Sequence, residues 1–366
     1  MCPGPGVTSQ MRWPIHENTP FGKGSQRRRP RKAAPRPPFP CQRGPDDRNP
    51  QEYKPKTRTG RASNSSENYP PTDDSLFATT ALVLSAGFAS AEITMSGSAN
   101  MGLKYDNGGL DYAPAKKAAG WYEIDIDVVG TTETDSGLTF GASVDLDSDY
   151  RSALAGTAQT AIDGEVFVSG AFGKFAIGNL DPMADDLGIN DIGFDGIGVD
   201  DVAEASNYTG SADARWDYSV GALSVGVSLN TIAEDYGVKA AYDFGTVAVA
   251  VAYDHDEALS YTPAVAGWTN GDANNSTSIM VSGGVAGVSG QLYYAKDDRT
   301  GDSYGVYAAY KTGALTFEAA YGDNDAAADA AYGLGAKYDL GGATLAGGVG
   351  KVGGDTVADL GVSFSF

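Results

Sequence analysis

The 366-residue chain is acidic as a whole, with 26 Lys and Arg against 47 Asp and Glu and a formal net charge of −21. The charge is unevenly divided. Residues 1–91 hold 14 basic and 7 acidic side chains, 14 of the 17 prolines and both cysteines, whereas residues 92–366 hold 12 basic and 40 acidic side chains. The composition therefore predicts two unlike segments, and the second, which has no cysteine and one histidine, is a poor match to a disulfide scaffold or a zinc protein.

Residues 1–75 form a preface rich in proline, arginine and serine. Its low apolar content does not support a packed core. We interpret the preface as an artefact of a misassigned start site, and the alternative is a genuine disordered basic arm. The basic run at residues 27–32 is of a kind that binds nucleic acid, but such binding has no use ahead of an export signal. We therefore expect no nucleic-acid partner.

Residues 76–91, with the sequence LFATTALVLSAGFASA, combine a short apolar run with a small-residue ending at Ala89-Ser90-Ala91. This pattern is typical of a secretory signal peptide with an A-x-A cleavage site, although Asp73 and Asp74 replace the usual positive charge before it. The alternative is a buried strand or helix that ends in small residues. No apolar run reaches about 18 residues, so no helical membrane anchor is predicted.

From Glu92 onward the dominant pattern is alternation with a period of two, which indicates β-strands with unlike faces. In residues 236–243, for example, Tyr236 and Val238 share one face, whereas Gly237 and Lys239 share the other. The predicted strands are sixteen segments: 92–105, 119–129, 138–149, 162–171, 174–180, 213–220, 223–230, 236–243, 246–254, 276–284, 287–295, 303–311, 314–322, 330–339, 342–350 and 357–366.

The connections between these strands alternate between long and short, and tight turns occur at sites such as Phe172-Gly173 and Thr312-Gly313-Ala314. Alternation alone also suits a soluble sandwich. Short turns on one rim and long loops on the other are instead typical of outer-membrane barrels. Because an open sheet edge in lipid leaves backbone groups unpaired, the sheet has to close. The prediction is an all-β fold, a sixteen-stranded antiparallel transmembrane barrel.

Tyrosines recur near the ends of the predicted strands. Such placement predicts an aromatic girdle at the membrane interfaces, whereas each tyrosine alone is explained by ordinary strand propensity. The residues assigned to the girdle are Tyr105, Tyr122, Tyr242, Tyr253, Tyr293, Tyr304, Tyr310, Tyr321, Tyr332 and Tyr338.

Several segments resemble the general porins of alphaproteobacteria. They are DSGLTFGAS (135–143), DGEVFVSGAFGKFAIGNLD (163–181), DYSVGALSVGVS (217–228), YDLGG (338–342) and VADLGVSFSF (357–366). The resemblance extends from the signal peptide to Phe366. It implies a homotrimer of sixteen-stranded barrels in the outer membrane, in contact with lipid and lipopolysaccharide, with the third external loop folded into each pore. It also implies that Phe366 belongs to the signal read by the barrel assembly machinery.

A sixteen-stranded barrel leaves a water-filled interior, so the sequence predicts a passive channel for small hydrophilic solutes and ions. The longest connection, residues 181–212, is acidic, and by resemblance it is the constriction loop. Its negative field predicts cation preference, and the alternative is a solvated acidic surface loop. The predicted constriction residues are Asp185, Asp186, Asp191, Asp195, Asp200, Asp201 and Glu204, together with Asp181. The family places basic residues across the pore, and the candidates are Lys104, Arg151, Arg215 and Lys239.

No cofactor is expected, although clustered carboxylates also suit calcium. No ligand spacing defines such a metal site. His255 is the one histidine after the signal peptide and has no nucleophile motif nearby, so we expect no enzyme activity. The alternatives to a general pore are a substrate-selective channel and a structural or adhesive barrel with a plugged lumen. The size cutoff, the strength of selectivity and the trimer contacts are not encoded in these patterns.

Overall fold

The computed structural model of the chain describes residues 82–83, 91–110, 116–149, 161–205, 211–257 and 273–366. The preface, most of the predicted signal peptide and Arg151 lie outside the described residues. The segment boundaries proposed for residues 1–91 therefore stay predictions.

Sixteen antiparallel strands form one closed barrel. Each strand pairs with the next along the chain, and the last pairs with the first. A two-residue strand, Leu82–Val83, pairs with Ile93 and Glu92. The barrel strands are β1 (Glu92–Leu110), β2 (Lys116–Glu133), β3 (Thr139–Asp149), β4 (Ala161–Gly170), β5 (Gly173–Leu180), β6 (Ala212–Val220), β7 (Leu223–Asn230), β8 (Asp235–Asp243), β9 (Val247–Asp256), β10 (Asn274–Val285), β11 (Val288–Asp297), β12 (Gly301–Thr312), β13 (Leu315–Asn324), β14 (Ala331–Asp339), β15 (Thr344–Val352) and β16 (Asp355–Ser365).

The closing seam runs between β16 and β1, where the register extends from Val357 opposite Asp106 to Ser365 opposite Ser98. Phe366 continues it, because its backbone N–H and C=O each form a 2.9 Å hydrogen bond with Gly97. The C-terminal residue thus takes part in closing the ring. Closure gives the backbone groups along this seam their partners, as a lipid environment requires.

All sixteen predicted strands are confirmed. The largest differences concern β1, which continues to Leu110, and β2, which runs from Lys116 to Glu133. The sequence prediction ended β1 at Tyr105, and the following Asn107-Gly108-Gly109 has turn-forming composition. In the structure this segment continues the β1–β2 ladder through a register shift between Tyr105 and Leu110. The strand pair therefore extends beyond the point where composition indicates a turn.

The two faces of the barrel wall differ in the way the alternation predicts. On the outer face, Leu292 lies opposite Val306, which in turn lies opposite Tyr321, and all three side chains are exposed. Tyr293 is the exception among the tyrosines assigned to the girdle. It occupies an inward position between Leu292 and Tyr294 and is only 3% exposed. Sequence position near a strand end was thus a weaker guide than the parity of the residue within its strand.

Two short helical segments lie within the connection between β5 and β6. A 3₁₀ turn spans Met183–Asp186, and a helix, α1, spans Val199–Ala203. Within the described ranges no helix is long and apolar enough to cross a membrane.

A charge introduced on the outer face tests which surface contacts lipid. Leu292→Arg places a cation in the middle of the apolar face, where we expect a loss of about 2–4 kcal/mol of folding free energy. Ser143→Arg is the control, because Ser143 faces the lumen opposite Glu165. The measurement is urea unfolding of both variants in lipid vesicles. Equal destabilisation by the two substitutions would contradict the assignment of faces.

Candidate functional site

The connection between β5 and β6 folds into the barrel over its described residues 181–205, which are called the constriction loop here. Its apolar side chains face the inner wall. Leu187, Ile192 and Val199 are at most 1% exposed. They belong to one buried cluster with residues from β9, β11, β12, β13 and β14, whose members are Ala250, Ala252, Tyr293, Ala295, Tyr307, Ala309, Ala320 and Ala331. The loop therefore has a hydrophobic underside, and each such burial contributes about 1.5–3 kcal/mol.

The loop packs closely against the inner wall because many inward-facing residues there have small side chains or none. A Cβ added to Gly335 would lie 2.9 Å from Cγ2 of Ile192, and one added to Gly305 would lie 2.8 Å from Cβ of Ala203. Such close approach leaves no room for a larger side chain. The inner wall from β9 to β15 therefore leaves space in which this loop packs, and this part of the wall is called the seat of the loop.

The prediction from sequence missed this seat, although a signal for it is present. Inward positions of a wetted pore wall favour polar side chains, as on β2 and β3, where Asp125, Asp127 and Asp145 alternate with apolar residues. On β13 to β15 the inward positions instead include a run of alanine and glycine, beside polar residues such as Glu318 and Lys337. These small residues are Ala320, Gly322, Ala331, Gly333, Gly335, Ala346, Gly348 and Gly350. Small apolar residues on a lumen face indicate that another part of the chain covers them.

One end of the constriction loop is held by a charge cluster around Asp186. Arg215 on β6 contacts it at 2.6 Å and also contacts Asp217 at 2.9 Å, and Lys239 on β8 forms a second ion pair with Asp186. Burial alone would raise the pKa of Asp186, but Lys239 and then Arg215 outweigh it and hold that pKa below its ordinary value. Asp186 is thus a charged anchor at neutral pH.

Polar contacts hold the loop at two further places. Asn190 and Gln291 on β11 form a reciprocal pair, in which the Asn190 backbone N–H donates at 2.7 Å and the Gln291 amide donates back at 3.1 Å. At the tip of the loop, Asp195 pairs with Lys104 and accepts a 3.0 Å hydrogen bond from Asn100. These contacts complement the apolar underside.

Four other acids of the loop, Asp191, Asp200, Asp201 and Glu204, lie close together within it, whereas the charge of Asp185 acts on Asp254 of β9. Glu204 accepts a 2.9 Å hydrogen bond from the backbone N–H of Ile189. Burial, a hydrogen bond with Asp200 and the charges of Asp200, Asp201 and Glu204 raise the pKa of Asp191 well above its ordinary value. This cluster shapes the loop from within, whereas Asp186 and Asp195 attach it to the wall.

The predicted opposing bases take positions that differ from the expectation. Lys104, Arg215 and Lys239 lie in direct contact with acids of the loop, and not across open water from it. The physical reason is that the loop follows the inner wall and passes directly over the strands that carry these bases. Arg151 lies outside the described residues.

The part of the inner wall formed by β2, β3 and β4 is strongly acidic. Asp127 lies directly opposite Asp145, and Asp145 lies opposite Asp163. Strands β3 and β4 contain no Lys or Arg, and Lys174 on β5 contacts Glu165 at 2.5 Å. The inward acids of this wall, called the acidic wall below, are Glu123, Asp125, Asp127, Asp145, Asp147, Asp163 and Glu165.

His255 lies at the end of β9, away from the constriction loop in sequence. Its two ring nitrogens contact Asn275 at 2.8 Å and Glu257 at 3.2 Å. Among the residues that the structure describes, no three His, Cys, Asp or Glu side chains form a group arranged to hold a metal ion.

Comparison with known proteins agrees with this architecture. The family model described as Gram-negative porin matches residues 78–350. The chain belongs to the Gram-negative porin family. Two relatives named porin, from Fuscovulum blasticum and Rhodobacter capsulatus, are each 28% identical over 75% of this chain and their whole length. Two mutants of Rh. blastica porin match in structure with TM-scores of 0.61 and 0.59, at 23% and 24% identity, over 75% of this chain and all of theirs.

This porin is therefore a general outer-membrane channel of the alphaproteobacterial type, and the expected sixteen-stranded barrel with its inward-folded loop is confirmed. Its relatives are porins and not enzymes.

The buried carboxyl of Asp191, which lies beside Asp200, generates a prediction about how loop seating depends on pH. Because the pKa of Asp191 is raised in the folded loop, its contribution favours seating at low pH and is lost as pH rises through that pKa. Between the ordinary carboxyl pKa and the raised one, each pH unit costs the seated loop about 1.4 kcal/mol, and no further loss follows above the raised pKa. We expect current noise from loop motion to increase as pH rises from the acidic range in the wild type and not in Asp191→Asn.

The control is Asp329→Asn, which removes an exposed carboxylate from the turn after β13 and should keep the wild-type pH dependence. Single-channel recordings over a pH series supply the measurement. If current noise in Asp191→Asn increased with pH as it does in the wild type, the role given to Asp191 would be contradicted.

Proposed function

We propose that this porin is a passive, cation-preferring diffusion channel for small hydrophilic solutes and ions. The observation that carries the proposal is the division of charge within the lumen. The bases that contact the constriction loop, Lys104, Arg215 and Lys239, are paired with its acids. The acidic wall on β2 to β4 faces the part of the lumen that the loop does not fill.

The acidic wall favours cations because its carboxylates are close together. The directly paired row of Asp127, Asp145 and Asp163 spaces like charges at about 4.8 Å, the distance between neighbouring strands. Like charges placed directly opposite one another repel, and mobile cations relieve the repulsion. Low-dielectric walls focus this field into the water of the pore, which raises the local cation concentration and lowers that of anions.

Passive transport follows from the size of the barrel. Sixteen strands leave a water-filled interior once side chains are placed. The loop narrows this interior without filling it with apolar side chains, since its apolar residues are turned to the wall. Solutes are then sorted by size and charge, and no energy source is required.

Three further parts of the proposal concern the outer surface, the leader segment and the C-terminal residue. Its exposed apolar side chains match a lipid bilayer, with lipopolysaccharide at the outer leaflet, and part of this surface would form the contacts of a homotrimer. The leader at residues 76–91 would direct export, with cleavage before Glu92. Phe366, which pairs with Gly97 at the seam, is well placed to act in recognition by the assembly machinery.

The test of cation preference is the reversal potential of the reconstituted pore in a KCl gradient. We expect a potential of the sign that cation preference produces. In a variant with Asp127→Asn, Asp145→Asn and Asp163→Asn, we expect the potential to move toward zero because the field of the acidic wall is reduced. A wild-type potential that shows anion preference would contradict the proposal.

The matched control removes three exposed carboxylates from turns between the strands, with Asp135→Asn, Glu234→Gln and Asp329→Asn. It changes the net charge by the same amount and should leave the reversal potential near that of the wild type. The same recordings separate the alternative functions. A plugged structural barrel gives no conductance, and a substrate-selective channel gives conductance that one solute blocks in a saturable way.

A further inference from the structure

The tip of the constriction loop, residues 193–195, lies on the seam where the last strand of the barrel meets the first. Asp359 on β16 points inward and is only 7% exposed. Its Oδ2 accepts hydrogen bonds from the backbone N–H groups of Phe194 at 3.0 Å and Asp195 at 3.2 Å. Its Oδ1 accepts a 2.7 Å hydrogen bond from the backbone N–H of Gly348 on β15. One carboxylate thus joins the loop tip to the barrel wall.

The ring of Phe194 occupies a notch made of two glycines that face each other across this seam. Gly102 on β1 lies directly opposite Gly361 on β16. A Cβ on Gly102 would lie 2.7 Å from Cζ of Phe194, and a Cβ on Gly361 would lie 2.5 Å from its Cδ2. Trp121 on β2 and Ala346 on β15 complete the cluster around the ring. The notch exists only where β1 and β16 are paired.

The first strands hold the other side of the tip. Asp195 pairs with Lys104 on β1, and Nζ of Lys104 also lies 4.3 Å from the ring centre of Trp121. Asn100 donates hydrogen bonds to both Asp195 and Glu123, at 3.0 and 3.1 Å. The loop tip therefore contacts residues on both sides of the seam, from β16 and β15 on one side and from β1 and β2 on the other.

We propose that Asp359 is a positioning residue that locks the constriction loop in place, and that this lock forms only when β16 pairs with β1. The seat of the loop tip combines the N-terminal and C-terminal strands, which are the farthest apart in sequence. The narrow part of the pore is then set by the same event that closes the barrel.

The chemistry of the lock is the binding of backbone N–H groups by a buried carboxylate. Such charge-assisted hydrogen bonds are roughly twice as strong as those between neutral groups. Gly193 shows how closely the carboxylate fits, because a Cβ at this residue would overlap the oxygens of Asp359, and its φ of 105° disfavours other residues. The strand pairing of Asp359 through its backbone does not depend on its side chain, so removal of the carboxylate should free the tip and leave the barrel closed.

Trp121 offers a readout of the lock that does not rely on ion conduction. It is 7% exposed beneath Phe194, and the other tryptophans after residue 91, Trp216 and Trp268, are replaced by phenylalanine in the test background. In this background Asp359→Ala should remain folded, as shown by heat-dependent migration on a gel. We expect the acrylamide quenching constant of Trp121 to rise severalfold, since the freed tip uncovers the indole ring.

The control is Asp163→Ala, which removes a lumen carboxylate from the acidic wall. We expect it to leave Trp121 quenching unchanged. In planar bilayers, Asp359→Ala should also increase the noise of the open-channel current and change its conductance. That electrical readout rests on the proposed function, whereas the fluorescence readout does not. In Asp359→Ala, an altered reversal potential with Trp121 still protected would show only the loss of a lumen charge and would count against the lock.

A folded Asp359→Ala barrel in which Trp121 stays protected would overturn the proposal. If Asp359→Ala does not fold, Gly193→Ala decides, because it displaces the tip from within the loop and leaves every strand unchanged. Exposure of Trp121 in folded Gly193→Ala supports the lock, and protection overturns it. During refolding of the full chain, Trp121 should become protected together with or after the appearance of the heat-resistant barrel. Earlier protection would refute the dependence on closure.

Discussion

The structure depends on one constraint, which is that each backbone N–H and C=O group within lipid has to find a partner in the protein. Sixteen antiparallel strands meet this constraint by closing on themselves, and the seam between β16 and β1 completes the ladder down to the hydrogen bonds between Phe366 and Gly97. Closure at this strand number leaves more interior space than the wall side chains occupy. The interior then has room for a loop packed on the wall and for charged side chains.

The interior is built asymmetrically. From β9 to β15 the inner wall presents small residues, and the constriction loop covers them with Ile192 and its other apolar side chains. From β2 to β4 the wall presents carboxylates to water. The ion pairs of Asp186 and Asp195 attach the loop to the wall and use three of the lumen's bases in doing so. One part of the inner wall therefore packs against the loop, and the acidic wall forms another part.

Sequence was sufficient for the barrel because strand parity leaves a direct record in it. Leu292 and Val306 alternate with inward residues, and glycine-containing turns mark one rim, so the strand count and the faces were predictable. The seat of the loop was not predicted, because it depends on contacts between the loop and strands that are distant in sequence. The contacts of Phe194 with Gly102 and Gly361 join residues far apart in the chain. Tyr293 was misplaced because its position near a strand end was given more weight than its inward parity within β11.

The central claim is that the constriction loop lies against the inner wall of the pore. A direct measurement is disulfide formation in a double variant, Ile192→Cys with Gly335→Cys, in the mature segment, which has no cysteine of its own. A Cβ at Gly335 would lie 3.3 Å from Cβ of residue 192, close to the spacing of about 3.5–4.5 Å found in disulfides. We expect the bond to form under mild oxidation in the folded, membrane-inserted barrel and conduction to persist. Two cysteines that stay reduced and freely modified by a lumen-accessible thiol reagent would contradict this account.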